Sequence, residues 1–248
     1  MPIPPLEVLL IAPLVVIGAY VIFGISGFGS TVIAVPLLAH FMPLKFVIPM
    51  IVLLDCVGAI GMGTRLRADV FKRELVPLLP FLAVGLLTGA YLLLRLPGEI
   101  LLAGLGVFVL AFGVLYATGK QAAFRVGRWA VAPVGIFAGT TSSMFGVGGP
   151  IYVMYLSARG ATPEQIRATM PVIFIFTTIA RIAIFGAAGL LTAPVLYSAL
   201  ALLPIMVLGM WIGHHLHLSM SREQLVRLIG ALLVLSGASL LVRALTMG

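Results

Sequence analysis

Charge is what this sequence has least of. Asp, Glu, Lys and Arg make up 9% of its 248 residues, about a third of the roughly 25% found in soluble domains. That is too little to cover a water-facing surface, so a soluble globular domain and a disordered chain are both excluded. The one cysteine, Cys56, excludes an internal disulfide and any cysteine-cluster metal or iron–sulfur site. No Lys/Arg run carries interleaved aromatics, so no nucleic-acid partner is expected. No P-loop is present to draw energy from a nucleotide. The apolar stretches hold no His/Asp/Glu cluster and no Ser/His/Asp set. The chain is therefore not expected to be an enzyme, and neither a cofactor nor a metal is expected. The N-terminus lacks a basic region and a small-residue cleavage site, so the first apolar segment is expected to stay in the membrane.

What remains is apolar surface, at 62% hydrophobic residues with a mean hydropathy of +1.23. At about 20 residues per span the chain has room for seven or eight elements. The composition predicts an all-α polytopic bundle, a single transmembrane domain over residues 1–248 with the lipid bilayer as its surroundings. Polar loops near Arg65–Glu74, Lys120–Arg128, Arg159–Arg167 and His214–Glu223 divide the apolar segments. Leu75–Leu94 and Ile100–Gly119, joined by a short Pro-Gly link, read as an antiparallel hairpin of full spans. Thr162-Pro163-Glu164 reads as a helix start, with an N-cap, a proline at the first position and an acid in the first turn.

Two segments are not simple spans. Leu6–Pro43 would reach about 57 Å as one helix, against a hydrocarbon core of about 30 Å. Its middle reads Gly24-Ile-Ser-Gly27-Phe-Gly29-Ser30-Thr31. Trp129–Ser157 likewise contains Thr140-Thr-Ser-Ser143-Met-Phe-Gly146-Val-Gly148-Gly149-Pro150. Such centres break a helix, and unwound backbone at membrane depth is tolerated only inside protein or beside a watery cavity. The two regions also repeat. Gly27-Phe-Gly29-Ser30 aligns with Gly146-Val-Gly148-Gly149 at an offset of 119, and Met42-Pro43 with Thr162-Pro163 at 120. This predicts two four-segment repeats, about 6–119 and 129–245, each opening with a glycine-broken or re-entrant helix hairpin.

If each hairpin returns to its own side, each half crosses three times and the halves are inverted. One side then holds Arg65, Arg67, Lys72, Arg73, Lys120, Arg125, Arg128, Arg159, Arg167 and Arg222, and the other only Lys45, Arg95 and Arg243. That ten-to-three bias obeys the positive-inside rule. A single crossing per hairpin would reduce it to seven against six. Inverted halves with both termini outside are therefore expected.

Discontinuous helices in inverted halves suit a transporter, because half-helix N-termini offer N–H groups and partial positive charge to an anion. The candidate substrate-binding residues are Ser26, Gly27, Phe28, Gly29, Ser30 and Thr31 at the first break. At the second they are Thr141, Ser142, Ser143, Gly146, Gly148 and Gly149, with Pro150 as the first residue of a half-helix. The alternative is close helix packing through small residues. Two charges lie mid-span, Asp55 and Arg181, where each costs a few kcal/mol and needs a partner or water. Arg181 is a candidate for holding the anion and Asp55 for carrying a coupling proton, or the two form a structural ion pair. His214, His215 and His217 read as an interfacial tract at a span end rather than a metal site. His40 reads as interfacial, Cys56 as an inert buried thiol and Trp129 as an interface anchor. Phe145, Tyr152 and Tyr155 read as core aromatics that could wall a pocket. Gly209–Gly213 spacing reads as an ordinary helix contact.

The paired motifs, Ser26-Gly-Phe-Gly-Ser30 with Pro36-Leu-Leu38 and Phe145-Gly-Val-Gly-Gly149, resemble the signatures of the sulfite exporter TauE/SafE family. The likeness extends over nearly the whole chain. It implies a four-plus-four-segment carrier of sulfite, organosulfonates or related organosulfur anions in a bacterial inner membrane. The sequence departs from the pattern at Ser30-Thr31, where a further glycine is common, and at Tyr155, which stands where the first repeat has Pro36. The resulting expectation is a multi-pass secondary transporter of a small anion, proton-coupled and working by alternating access. A passive anion channel is the alternative, and a homo-oligomer is left open.

Overall fold

The computed structural model describes residues 6–26, 30–63, 69–118, 125–216 and 222–247. They form ten α-helices and one short 3-10 turn, Arg128–Ala130, with no strand among the described residues. In chain order the helices are α1 (Leu6–Ser26), α2 (Ser30–Leu38), α3 (Leu44–Gly63), α4 (Lys72–Arg95), α5 (Gly98–Thr118), α6 (Val131–Phe145), α7 (Gly149–Ala158), α8 (Pro163–Ala187), α9 (Ala193–His215) and α10 (Arg222–Met247). α4, the Gly98–Leu115 part of α5, α8 and α9 are long and apolar enough to cross a membrane. Ile11–Ile25 and Gly230–Thr246 are shorter apolar stretches.

The second long segment is broken where glycine and hydroxyl residues gather, giving α6 and α7, while α1 and α2 flank Gly27–Gly29, which lie outside the described residues. Trp129 lies in the 3-10 turn and is exposed. α8 starts at the expected cap: the Thr162 hydroxyl accepts the Gln165 N–H at 3.3 Å. Gln165 closes the motif by accepting the Thr162 N–H through its side-chain carbonyl at 3.0 Å, so two of the helix's orphan donors are satisfied reciprocally.

The helices fall into two compact units. The first comprises Met1–Ile51, Leu96–Gln121 and Ala193–Gly248, the second Val52–Arg95 and Ala122–Thr192. In the first unit α1 packs on α9 and α2, α5 on α10, and α2 also touches α10 and α5. In the second α4 packs on α6 and α8, and α7 on both α6 and α8. The expected α4–α5 hairpin is thus divided. The Leu96-Pro97 link is short as read, but α4 finds its partners in one unit and α5 in the other.

Glycines set the closest crossings. A methyl on Gly24 would lie 2.6 Å from the Met210 carbonyl oxygen, and one on Gly209 2.8 Å from that of Ile17, so α1 and α9 meet backbone to backbone. Likewise a methyl on Gly139 would lie 2.5 Å from the Leu82 carbonyl oxygen, and one on Gly113 2.7 Å from the Val234 nitrogen. These glycines serve helix packing, as small residues commonly do in membranes.

Candidate functional site

The second break is described in full and lies within the second unit. α6 ends at Phe145, and Gly146 adopts the left-handed conformation (φ 79°), its N–H bonding the Ser142 carbonyl at 2.9 Å. A residue with a Cβ is disfavoured there, and glycine is the usual way to end a helix so. α7 then begins at Gly149 with Pro150 in its first turn. Pro150 suits that place because its missing N–H would have had no partner within the helix. Helix starts leave N–H groups unsatisfied by their own helix, and here that start lies among buried polar side chains.

Gly148 faces two of them. A methyl on it would stand 2.6 Å from the Tyr152 hydroxyl oxygen and 2.8 Å from the Ser142 Cβ. The Tyr152 hydroxyl donates to the Ala138 carbonyl at 3.4 Å and is within hydrogen-bonding reach of the Ser142 side chain. Phe174 of α8 packs edge-on to Tyr152, with ring centroids 6.4 Å apart, and would lie 3.4 Å from a methyl on Gly149. Arg181, also of α8, is only 3% exposed and close enough to Tyr152 to act on it electrostatically. Its guanidinium carbon lies 5.9 Å from the Phe185 ring centre. Ser143 is wholly buried, and its hydroxyl has no hydrogen-bond partner among the described residues. An unsatisfied buried polar group costs roughly 1–3 kcal/mol, so a buried hydroxyl left over in the last turn of α6, against Gly89 of α4, is a place for a ligand oxygen.

Of the other expected residues, Thr141 donates its hydroxyl hydrogen to its own helix, at 3.0 Å from Phe137 O and 3.1 Å from Ala138 O. In the first unit Ser26 ends α1, while Gly27, Phe28 and Gly29 lie outside the described residues. Ser30 and Thr31 open α2 and are buried. Asp55 is half-buried on the part of α3 that belongs to the second unit, the unit that also holds Arg181. His215 bonds the Trp211 carbonyl at 2.8 Å and lies against its ring, and His217 lies outside the described residues. No group of three metal-ligating side chains occurs among the described residues. His40 is more than interfacial: its ring nitrogens meet the Pro36 carbonyl and the Ser239 hydroxyl of α10, each at 2.9 Å.

One cluster escaped the sequence. Glu74, in the first turn of α4, is 3% exposed. Both its oxygens are held by Arg159, which follows the last residue of α7: Nη2 donates to Oε1 at 2.7 Å and Nε to Oε2 at 2.9 Å. The Tyr155 hydroxyl adds a third bond to Oε2 at 2.9 Å, and Arg159 Nη1 donates to the Val126 carbonyl at 2.7 Å. The hydrogen-bonded carboxylate raises the guanidinium's already high pKa. Glu74 and Arg159 read as loop charges because each adjoins a polar loop. The available signal was Tyr155 in place of the first repeat's Pro36, one helical turn before an arginine.

Comparison with known proteins adds the family. The model of the sulfite exporter TauE/SafE family matches residues 12–240. The chain is 30% identical over 193 residues to the "Probable inner membrane transporter protein TsaS" of Comamonas testosteroni, covering 77% of this chain and 81% of that one. It is 30% identical over 173 residues to the "Probable sulfite/organosulfonate exporter TauE" of Cupriavidus necator, covering 69% and 67% respectively. No solved structure matches.

Proposed function

Since the chain belongs to the sulfite exporter TauE/SafE family, we propose that it is a secondary transporter of a small organosulfur anion, such as sulfite or an organosulfonate. It is a multi-pass protein of the inner membrane, as its apolar helices and its relative's name support. The anion is held at the second break, by the α7 helix start, the Ser142 and Ser143 hydroxyls and the Arg181 charge. The observation that carries this reading is Ser143, a fully buried hydroxyl with no hydrogen-bond partner among the described residues, in the last turn of the helix that precedes that start. The Arg181 charge and the N-terminal partial charge both favour an anion, and both act strongly where water is excluded. Glycine at 148 lets backbone and ligand approach.

Inverted repeats are supported by the pairing pattern. Under the 119-residue offset α1 corresponds to α6 and α4 to α9. The α1–α9 pair in the first unit is thus the counterpart of the α6–α4 pair in the second. Ser30 and Thr31 at the start of α2 then hold the corresponding position within the first unit. Asp55 is proposed as the carrier of the coupling proton, and alternating access as the mode of movement, with both termini outside. No P-loop is present in the sequence, so the energy comes from an ion gradient or from a partner.

The test is binding and flux. Purified protein is exposed to sulfite, thiosulfate, sulfoacetate, taurine and sulfate while its thermal unfolding is followed. It is then placed in liposomes with and without a pH gradient. Stabilisation by at least one organosulfur anion and flux that follows the gradient are expected. Stabilisation by none would remove the organosulfur reading, and flux indifferent to pH, unchanged in Asp55→Asn, would favour a channel.

A further inference from the structure

The Glu74–Arg159–Tyr155 cluster lies at the end of α7 opposite to the glycine break. α7 has ten residues, about 15 Å at 1.5 Å per residue, short of the length at which an isolated helix holds itself. It follows a left-handed glycine turn at Gly146. Its direction is set by its packing on α6 and α8 and by what holds its far end. At that length a slip of 1 Å at Ala158 turns the axis by about 4°.

A buried ion pair is a poor device for stability alone, since well-packed apolar residues of the same size do as well or better. A guanidinium fork on a carboxylate supplies direction as well as attraction: two parallel bonds fix distance and angle together. Here the fork joins the end of α7 to the first turn of α4, and the third guanidinium nitrogen bonds Val126 O, on the chain leading into α6. Tyr155, one turn earlier on α7, bonds the same carboxylate. Four side-chain bonds, with the backbone bond from the Val126 N–H to the Ala158 carbonyl at 3.2 Å, thus tie the end of one half-helix to two other stretches of the second unit.

The first unit also ties its half-helix at the corresponding end, but to α10 rather than to α9, the counterpart of α4. His40 stands 119 residues before Arg159, the spacing of the glycine motifs. It follows the end of α2 and bonds Ser239 of α10, while Arg243 of α10 donates to the Ala39 carbonyl at 2.9 Å. Each half-helix is tied by side chains, at the end away from its break, to a long helix of its own unit.

We infer that Glu74, Arg159 and Tyr155 are positioning residues for the anion site: the fork aims α7 so that its start, at Gly149, faces the anion at the required angle. The inference rests on the anion site proposed above. None of the three touches the anion.

Hydrogen–deuterium exchange and anion affinity, measured on the same purified variants, test this. Arg159→Gln removes the fork, Arg159→Lys keeps the charge but not the paired bonds, and Tyr155→Phe removes one bond while leaving the ion pair. In Arg159→Gln the α7 amides are expected to exchange at least about tenfold faster, with α10 protection unchanged as the control for global unfolding. Affinity for the best-bound organosulfur anion is expected to fall about tenfold, a loss equal to about 1.4 kcal/mol. Arg159→Lys is expected to fall between Arg159→Gln and wild type in both readouts, and Tyr155→Phe to show a smaller loss in each. Unchanged α7 exchange in Arg159→Gln would overturn the clamp. Faster exchange with unchanged affinity would overturn its positioning role. If the wild type binds no anion, the transport reading fails by itself. The exchange arm still decides whether the clamp orders α7. Should Arg159→Gln not fold, Arg159→Lys and Tyr155→Phe carry the same comparison, and equal affinity in all folded variants overturns the inference.

Discussion

Replacing Gly148 with alanine should damage the protein more than the same change one residue later. Gly148 has an ordinary backbone (φ −72°), so the cost comes from space alone. The new methyl would lie 2.6 Å from the Tyr152 hydroxyl oxygen and 2.8 Å from the Ser142 Cβ, against the 3.4 Å at which ordinary contact begins. The shortfall of 0.8 Å at the hydroxyl has to be absorbed by movement. Tyr152 has little freedom to move, being fully buried and set edge-on against Phe174. Overpacking of this kind costs about 1–3 kcal/mol, which at 2–4 °C per kcal/mol for a chain of this size lowers Tm by roughly 2–12 °C. At Gly149 the methyl would meet Phe174 at 3.4 Å, an ordinary contact. Gly149→Ala should leave Tm unchanged or raise it slightly, because alanine has less unfolded-state freedom to lose. Thermal unfolding of both variants in detergent, followed by tryptophan fluorescence, gives the comparison. The packing described around the break is wrong if Gly148→Ala is as well tolerated as Gly149→Ala.

Three further outcomes follow from the same geometry. Gly146→Ala forces a Cβ into the left-handed region (φ 79°) and should cost about 1–2 kcal/mol, with Gly146→Asn milder; thermal unfolding checks the order. Thr162→Ala removes the hydroxyl that caps α8 and should cost about 1 kcal/mol, read as a lower Tm with anion affinity unchanged. Gly139→Val places two methyls against the Leu82 carbonyl at the α4–α6 crossing and should destabilise by at least about 1–3 kcal/mol. Loss of a monodisperse peak in size-exclusion chromatography would report it.

Much of this molecule was readable because the membrane restricts what a sequence can do. A run of apolar residues too long for one span, with Gly, Ser and Thr at its centre, has to break there, and the second break lies where those residues gather. The α8 start was equally legible, since Thr162, Pro163 and Glu164 each suit one cap position for a local reason. The division into two units was not. It depends on which helices α4 and α5 choose as partners, and a short link between two apolar stretches carries no information on that. The Glu74 cluster was hidden for a related reason. Its carboxylate and guanidinium are 85 positions apart, and beside a polar loop each looks like a solvated charge. Arg181 was visible because a lone charge in the middle of an apolar run has no such neighbours. Its neighbours, Tyr152 and Phe185, come from α7 and α8 and required the fold.

Arg181 is the residue on which an anion at the second break depends most directly. Isothermal titration of the best-bound organosulfur anion into wild type and Arg181→Gln measures its share of the affinity. A folded Arg181→Gln protein should bind at least about tenfold more weakly, equal to about 1.4 kcal/mol, with Ser143→Ala reducing affinity by a smaller amount. Wild-type affinity in a well-folded Arg181→Gln protein would contradict an anion seated at the second break.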